Sequence, residues 1–141
     1  MSQKLVIYSD GGARGNPGPA AAAFVALNSN GEIVKAGSCF IGVRTNNQAE
    51  YEALLLALEF AIETKTQEVV CHLDSELVVR QLNGDYAVKN DQLRQLWRKV
   101  QQLKACFNRI IFVNVPRSNF QIQKADTLVN IILDEQAKPS N

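Results

Sequence analysis

Four acidic residues, Asp10, Glu50, Asp74 and Asp126, sit where a carboxylate could do chemistry. Asp10 and Asp74 each follow directly on a short apolar run, residues 5–9 and 68–73. Taken singly, each could cap a turn, and Asp74 could cap the helix that begins near Ser75. Glu50 heads a stripe with Ala53/Leu54, Ala57 and Phe60/Ala61, so it faces the core side of its helix. Glu52, Glu59 and Glu63 fall on a different, wet face. Asp126 shares a mostly apolar face with Val129, Asn130 and Leu133, and is expected in the first turn of a final helix. Favourable placement near a helix N-terminus is the alternative for Glu50 and Asp126. Together, four such acids would repel one another without a cation. No His or Cys cluster competes, so the ligands are all oxygen, which suits Mg²⁺ or Mn²⁺ rather than Zn²⁺. Two such ions about 4 Å apart can activate water and stabilise a leaving oxygen.

The elements that must position these acids follow from pattern. Residues 5–9 read as a first strand, 20–27 as a second and 32–41 as a third, with Asn30-Gly31 marking a hairpin turn. Residues 11–19, GGARGNPGP, read as a loop. Thr45 or Asn46 caps a helix running to about residue 63. A fourth strand spans 68–73, and a short helix spans 75–82 and stops near Asn83-Gly84. An amphipathic helix covers 91–105 with the stripe Leu93, Leu96/Trp97, Val100 and Leu103. A fifth strand covers 109–115, closed by Pro116. A last helix spans about 123–136, and a polar tail spans 138–141. Three antiparallel strands followed by strand–helix alternation predict one α/β domain over 1–141, a mixed sheet with helices packed on it. The site is expected beyond the carboxyl ends of the strands.

With 141 residues, 46% of them hydrophobic, the chain can bury a core without staples. Its net charge of +1 does not by itself mark a nucleic-acid binder. The charge is uneven: residues 89–109 hold six Lys/Arg against one Asp, and 50–76 hold seven Asp/Glu against one Lys. That suits a metal site beside a polyanion track, or two solvated helix faces. Cys39, Cys71 and Cys106 lack paired spacing and read as buried free thiols in a cytoplasmic protein. The N-terminal MSQKLVIYSD is a strand rather than a signal peptide, no stretch is long enough to span a bilayer, and a monomer is expected. The glycine-rich loop fits neither phosphate-loop pattern, which excludes a nucleotide cofactor. His72 lies inside a strand and reads as structural. Thr45-Asn46-Asn47-Gln48 holds more hydrogen-bonding groups than a cap needs, and such groups can reach base edges and 2′-hydroxyls in a wide minor groove.

These residues resemble the type-1 ribonuclease H family, which cleaves the RNA strand of RNA–DNA hybrids. The segments that carry the resemblance are YSDGGARGNPGP, TNNQAEYEALLLAL, LDSELVVRQLNG with YAVKN, and, more loosely, VPRSNFQIQKADTLVN. The resemblance implies a five-stranded sheet of order 3-2-1-4-5 and a metal site of Asp10, Glu50, Asp74 and Asp126. It implies minor-groove contacts from Asn16, Asn46 and Asn47, and a DNA-phosphate grip from Thr45 and Asn90. It also implies an endonuclease using two Mg²⁺ or Mn²⁺ ions, whose products carry 5′-phosphate and 3′-hydroxyl ends. Many members have a mobile histidine before the last acid. This chain has none, and Arg117 resembles the arginine of His-lacking relatives, with a part in product release or metal exchange. The same loop reads as two residues longer than usual, with Ile122 where an asparagine is common. There is no basic protrusion, which leaves Arg94, Arg98 and Lys99 as hybrid-facing cations. The rival readings are the same metal chemistry on another duplex, as in DDE transposases and integrases, and a catalytically silent binding module.

Overall fold

The apolar residues of the first strand alternate, and the two sets go to opposite faces of a sheet. Leu5 and Ile7 enter one core; Val6 and Tyr8 pack on the other. The computed structural model describes residues 3–139, and the last two residues of the expected polar tail lie outside it. The elements are β1 (Lys4–Ala13), β2 (Gly18–Leu27), β3 (Ile33–Arg44), α1 (Asn46–Glu63), β4 (Glu68–Leu73), α2 (Glu76–Leu82), α3 (Asp91–Lys104), β5 (Arg109–Asn114) and α4 (Phe120–Ala137). The sheet order is β3-β2-β1-β4-β5. β1 to β3 form the expected antiparallel meander, and β4 runs parallel to both β1 and β5.

One face carries α1, α2 and α3 on a core that includes Leu54, Leu58, Val78 and Val100. The other carries α4, whose Ala125, Val129 and Leu133 meet Ala21, Ala23 and Val25 of β2. Burying a leucine such as Leu54 contributes roughly 1.5–3 kcal/mol. α1 starts where a capping box forms: Gln48 N donates to Thr45 Oγ1, and Thr45 N donates to Gln48 Oε1.

Three expectations need correction. β1 and β2 do not stop at a loop of residues 11–19. Pairing continues through Gly11–Ala22, Gly12–Ala21 and Ala13–Ala20, leaving only residues 14–17 as the tip. Asp10 is therefore inside a strand. The glycines allow close approach rather than a turn, since a Cβ on Gly11 would lie 2.1 Å from the Ala49 carbonyl oxygen. The last helix begins at Phe120 rather than near residue 123, because the Asn119 side chain accepts from the N–H groups of Gln121 and Ile122. The loop before it is correspondingly short, and Asp126 lies in the second turn. Of the thiols only Cys71 is buried; Cys39 is half-buried and Cys106 exposed. No helix among the described residues is long and apolar enough to cross a membrane.

Candidate active site

The site forms where two paired strands part. The β1–β4 ladder ends at Tyr8 and His72, and Asp10 and Asp74 lie two residues beyond those partners. Parallel, in-register strands therefore carry both carboxylates out at the same level. Ser75, not Asp74, caps α2 by accepting from Val78 N, which leaves the Asp74 carboxylate to the cleft. Glu50 enters from α1. Gly11 N, in the part of β1 that β4 no longer covers, donates to Glu50 Oε1 at 2.9 Å. Carboxylate oxygens of Asp10, Glu50 and Asp74 all lie within 4.8 Å of one another. Asp126 is exposed and stands outside that close group, but lines the same cleft of about 520 Å³.

Asp10 and Glu50 are only 7% and 6% exposed. Burial pushes the Asp10 carboxyl from its ordinary 3.8 up to about 7; a hydrogen bond with Glu50 opposes the rise, and the charges of Asp74 and Asp126 add to it. Burial, then the Asp10 charge, holds Glu50 well above its ordinary value, against the hydrogen bond from Gly11. Glu50 Oε2 is buried, and no N–H or hydroxyl group donates to it. A buried acceptor without a donor costs free energy unless something cationic meets it. The oxygen-only donor set and this orphaned atom both fit a hard divalent ion.

A family model described as "Reverse transcriptase-like" matches residues 8–131. The solved structure of LC11-RNase H1 in complex with an RNA/DNA hybrid, from a compost metagenome, superposes with a TM-score of 0.88 at 40% identity, covering 95% of this chain and 99% of that one. The chain belongs to the type-1 ribonuclease H family. Ribonuclease HI of Halobacterium salinarum is 40% identical over 128 residues, 91% of this chain. The bifunctional protein Rv2228c of Mycobacterium tuberculosis is 40% identical over 136 residues, 96% of this chain. The chain spans 63% and 37% of the lengths of these two relatives.

In this ribonuclease H fold the polar residues singled out in the sequence fall on two sides of the acids. Asn46 and Asn47 line the acidic cleft. Asn46 Oδ1 accepts from Ala13 N, and Asn46 N donates to Asn16 Oδ1, which draws the β1–β2 tip and the start of α1 together. Thr45 and Asn90 cap α1 and α3. A 2.7 Å hydrogen bond from Gln48 Nε2 to Gln92 Oε1 holds those two helix starts side by side. Arg117, 93% exposed at its side chain, lies 3.8 Å from Asp74. His72 is structural, as expected: its Nδ1 is 3.3 Å from the Ile7 carbonyl, its ring stacks on Tyr8, and burial lowers its pKa.

Sequence reasoning missed two features. The Gly11 N–H that anchors Glu50 was hidden because the glycine pair read as a turn. Asn130, whose Nδ2 lies 3.3 Å from Asp126 Oδ2, was noted only as a stripe neighbour. Its place four residues after an acid on one helix was the available signal.

Proposed function

We propose that the chain is a metal-dependent endonuclease that hydrolyses the RNA strand of RNA–DNA hybrids, leaving 5′-phosphate and 3′-hydroxyl ends. The observation that carries this is the group Asp10, Glu50 and Asp74, whose oxygens are drawn within 4.8 Å of one another, with a buried Glu50 oxygen that no N–H or hydroxyl meets. The hybrid held by LC11-RNase H1, so similar in fold and sequence, supports the substrate. Both cores share one sheet, which supports reading residues 1–141 as a single catalytic domain.

Asp10, Glu50 and Asp74 would hold Mg²⁺ or Mn²⁺, with Asp126 as the fourth carboxylate at the edge of the cleft. Bound there, a pair of divalent ions lowers the pKa of water and neutralises charge on the departing 3′ oxygen. The chain's own part is to orient. Gly11 N fixes one oxygen of Glu50 and so aims the other into the cleft. The side-chain oxygens of Asn16 and Asn46 are taken by backbone N–H groups, so their NH₂ groups are left to donate to minor-groove acceptors, the 2′-hydroxyl included. The adjoining N-termini of α1 and α3, capped by Thr45 and Asn90, present positive dipole ends to a DNA phosphate. Arg117 brings an exposed positive charge to Asp74, suited to easing product release.

Matched RNA–DNA, RNA–RNA and DNA–DNA duplexes titrated with Mg²⁺ and Mn²⁺ test the proposal. Cleavage is expected on the hybrid alone, in the RNA strand, and Asp10→Asn is expected to abolish it while hybrid binding persists. Undiminished cleavage by that variant would sink the reading.

A further inference from the structure

We propose that Asn130 and Arg14 are positioning residues for Asp126, and that they tie its orientation to the β1–β2 tip bearing Asn16. The inference rests on the reading of the acids as a metal site.

Asp126 differs from the other three acids. It is exposed, it projects from a helix surface, and no backbone group fixes it in the way Gly11 N fixes Glu50. Left alone, such a side chain samples several staggered rotamers. Asn130, one turn further along α4, restrains it. Asn130 Nδ2 donates to Asp126 Oδ2 at 3.3 Å and to the Asp126 carbonyl at 3.1 Å.

An amide can face either way, and Asn130 helps Asp126 only while its NH₂ group points there. Arg14 supplies that constraint. Its Nη2 donates to Asn130 Oδ1 at 3.3 Å. A guanidinium has no acceptor, so only the amide oxygen can meet it, and the NH₂ is turned toward Asp126. Arg14 is held in turn by Asp134, one turn beyond Asn130, at 2.7 Å.

Arg14 belongs to the four-residue tip, and its N–H donates to the Pro19 carbonyl. Two residues on, Asn16 accepts from Asn46 N at the start of α1. The tip is thus fastened to α1 on one side and to α4 on the other. A shift of the tip moves both a minor-groove contact and the support of the fourth acid.

Mn²⁺ binding to the full chain without nucleic acid, followed by electron paramagnetic resonance, tests this independently of turnover. Asn130→Ala is expected to weaken Mn²⁺ binding roughly tenfold, in line with other partners that orient metal ligands. Arg14→Leu should weaken it less. Arg14→Lys, still a pure donor, should restore part of the loss. In an Asp126→Asn background neither Asn130→Ala nor Arg14→Leu should have further effect, and thermal melting reports whether each variant is folded. Unchanged Mn²⁺ affinity in Asn130→Ala, while Asp10→Asn loses binding, overturns the positioning role and leaves the site reading standing. A loss that persists undiminished in the Asp126→Asn background also overturns it. A wild-type chain that binds no Mn²⁺ removes both.

Discussion

Replacing Asp10 by asparagine removes a charge that burial and the neighbouring charges of Asp74 and Asp126 oppose. The folded chain keeps the Asp10 proton up to about pH 7, whereas the ordinary carboxyl releases it near 3.8. Between those values the folded state holds more protons than the unfolded one, so raising the pH favours unfolding. In chelator, wild-type stability should therefore fall from about pH 4 to about pH 7 and then level, with Glu50 adding to the fall. The rise from 3.8 to about 7 corresponds to roughly 4 kcal/mol at pH 8, which is an upper bound because Asp10 and Glu50 titrate together. At about 2–4 °C per kcal/mol for a chain of this size, Asp10→Asn should melt above wild type by at most about 8–16 °C. Melting followed by circular dichroism at pH 4, 6 and 8, with EDTA and then with Mg²⁺, measures it. The gap should close toward pH 4. Mg²⁺ should raise the wild type more than the variant. An Asp10→Asn chain that melts at or below wild type at pH 8 in EDTA, or a gap independent of pH, refutes the reasoning.

Two further outcomes follow from close packing near the site. Gly11→Ala places a methyl 2.1 Å from the Ala49 carbonyl oxygen and so pushes α1 off β1. We expect a loss of about 1–3 kcal/mol in urea denaturation, and hybrid cleavage lost along with it because Glu50 moves away from its Gly11 donor; wild-type stability and activity would contradict so close an approach of α1 to β1. Tyr51→Phe removes the hydroxyl that donates to Gln81 Oε1 at 2.7 Å in a buried pair joining α1 to α2. Leaving that acceptor without a donor should cost about 1–3 kcal/mol, read as a lower urea midpoint at constant slope.

Much of this was legible in the residues because period and punctuation agreed. Glu50 stood on an apolar stripe with no cation to match it, and the structure buries it. Asn30-Gly31 marked a hairpin, and Gly31 adopts the left-handed conformation there, with φ of +80°. What the sequence concealed was mostly tertiary. Gly11-Gly12 looks like a turn, yet the alanines of β2 and the nearness of α1 turn it into paired strand. The start of α4 was set by a cap, Asn119, two residues after an exposed arginine and just ahead of Phe120, itself 67% exposed. Ile122 is buried and opens the stripe of Ala125, Val129 and Leu133, but Phe120, the first helical residue, lies off that stripe, so the apolar period does not reach the helix start. Cys106 has apolar neighbours in sequence but lies beyond the end of α3, where nothing covers it. The residues proposed to meet substrate were recognisable by type, but their free and engaged atoms emerge only once Ala13 and Asn46 meet their partners.

A strand that contributes none of the four acids, β2, governs the distances among them. Residues 20–23 of β2 are all alanine and wholly buried, with Ala21 and Ala23 turned to α4 and their neighbours to the α1 side. They act as a gauge block between two helices: one brings Glu50, the other Asp126. A larger residue on either face would leave all four acids in place in the sequence and still misalign the set. For anyone reshaping this cleft toward another duplex, β2 is the part to leave untouched. The adjustable piece is the exposed face of α3, whose side chains can change without altering that thickness.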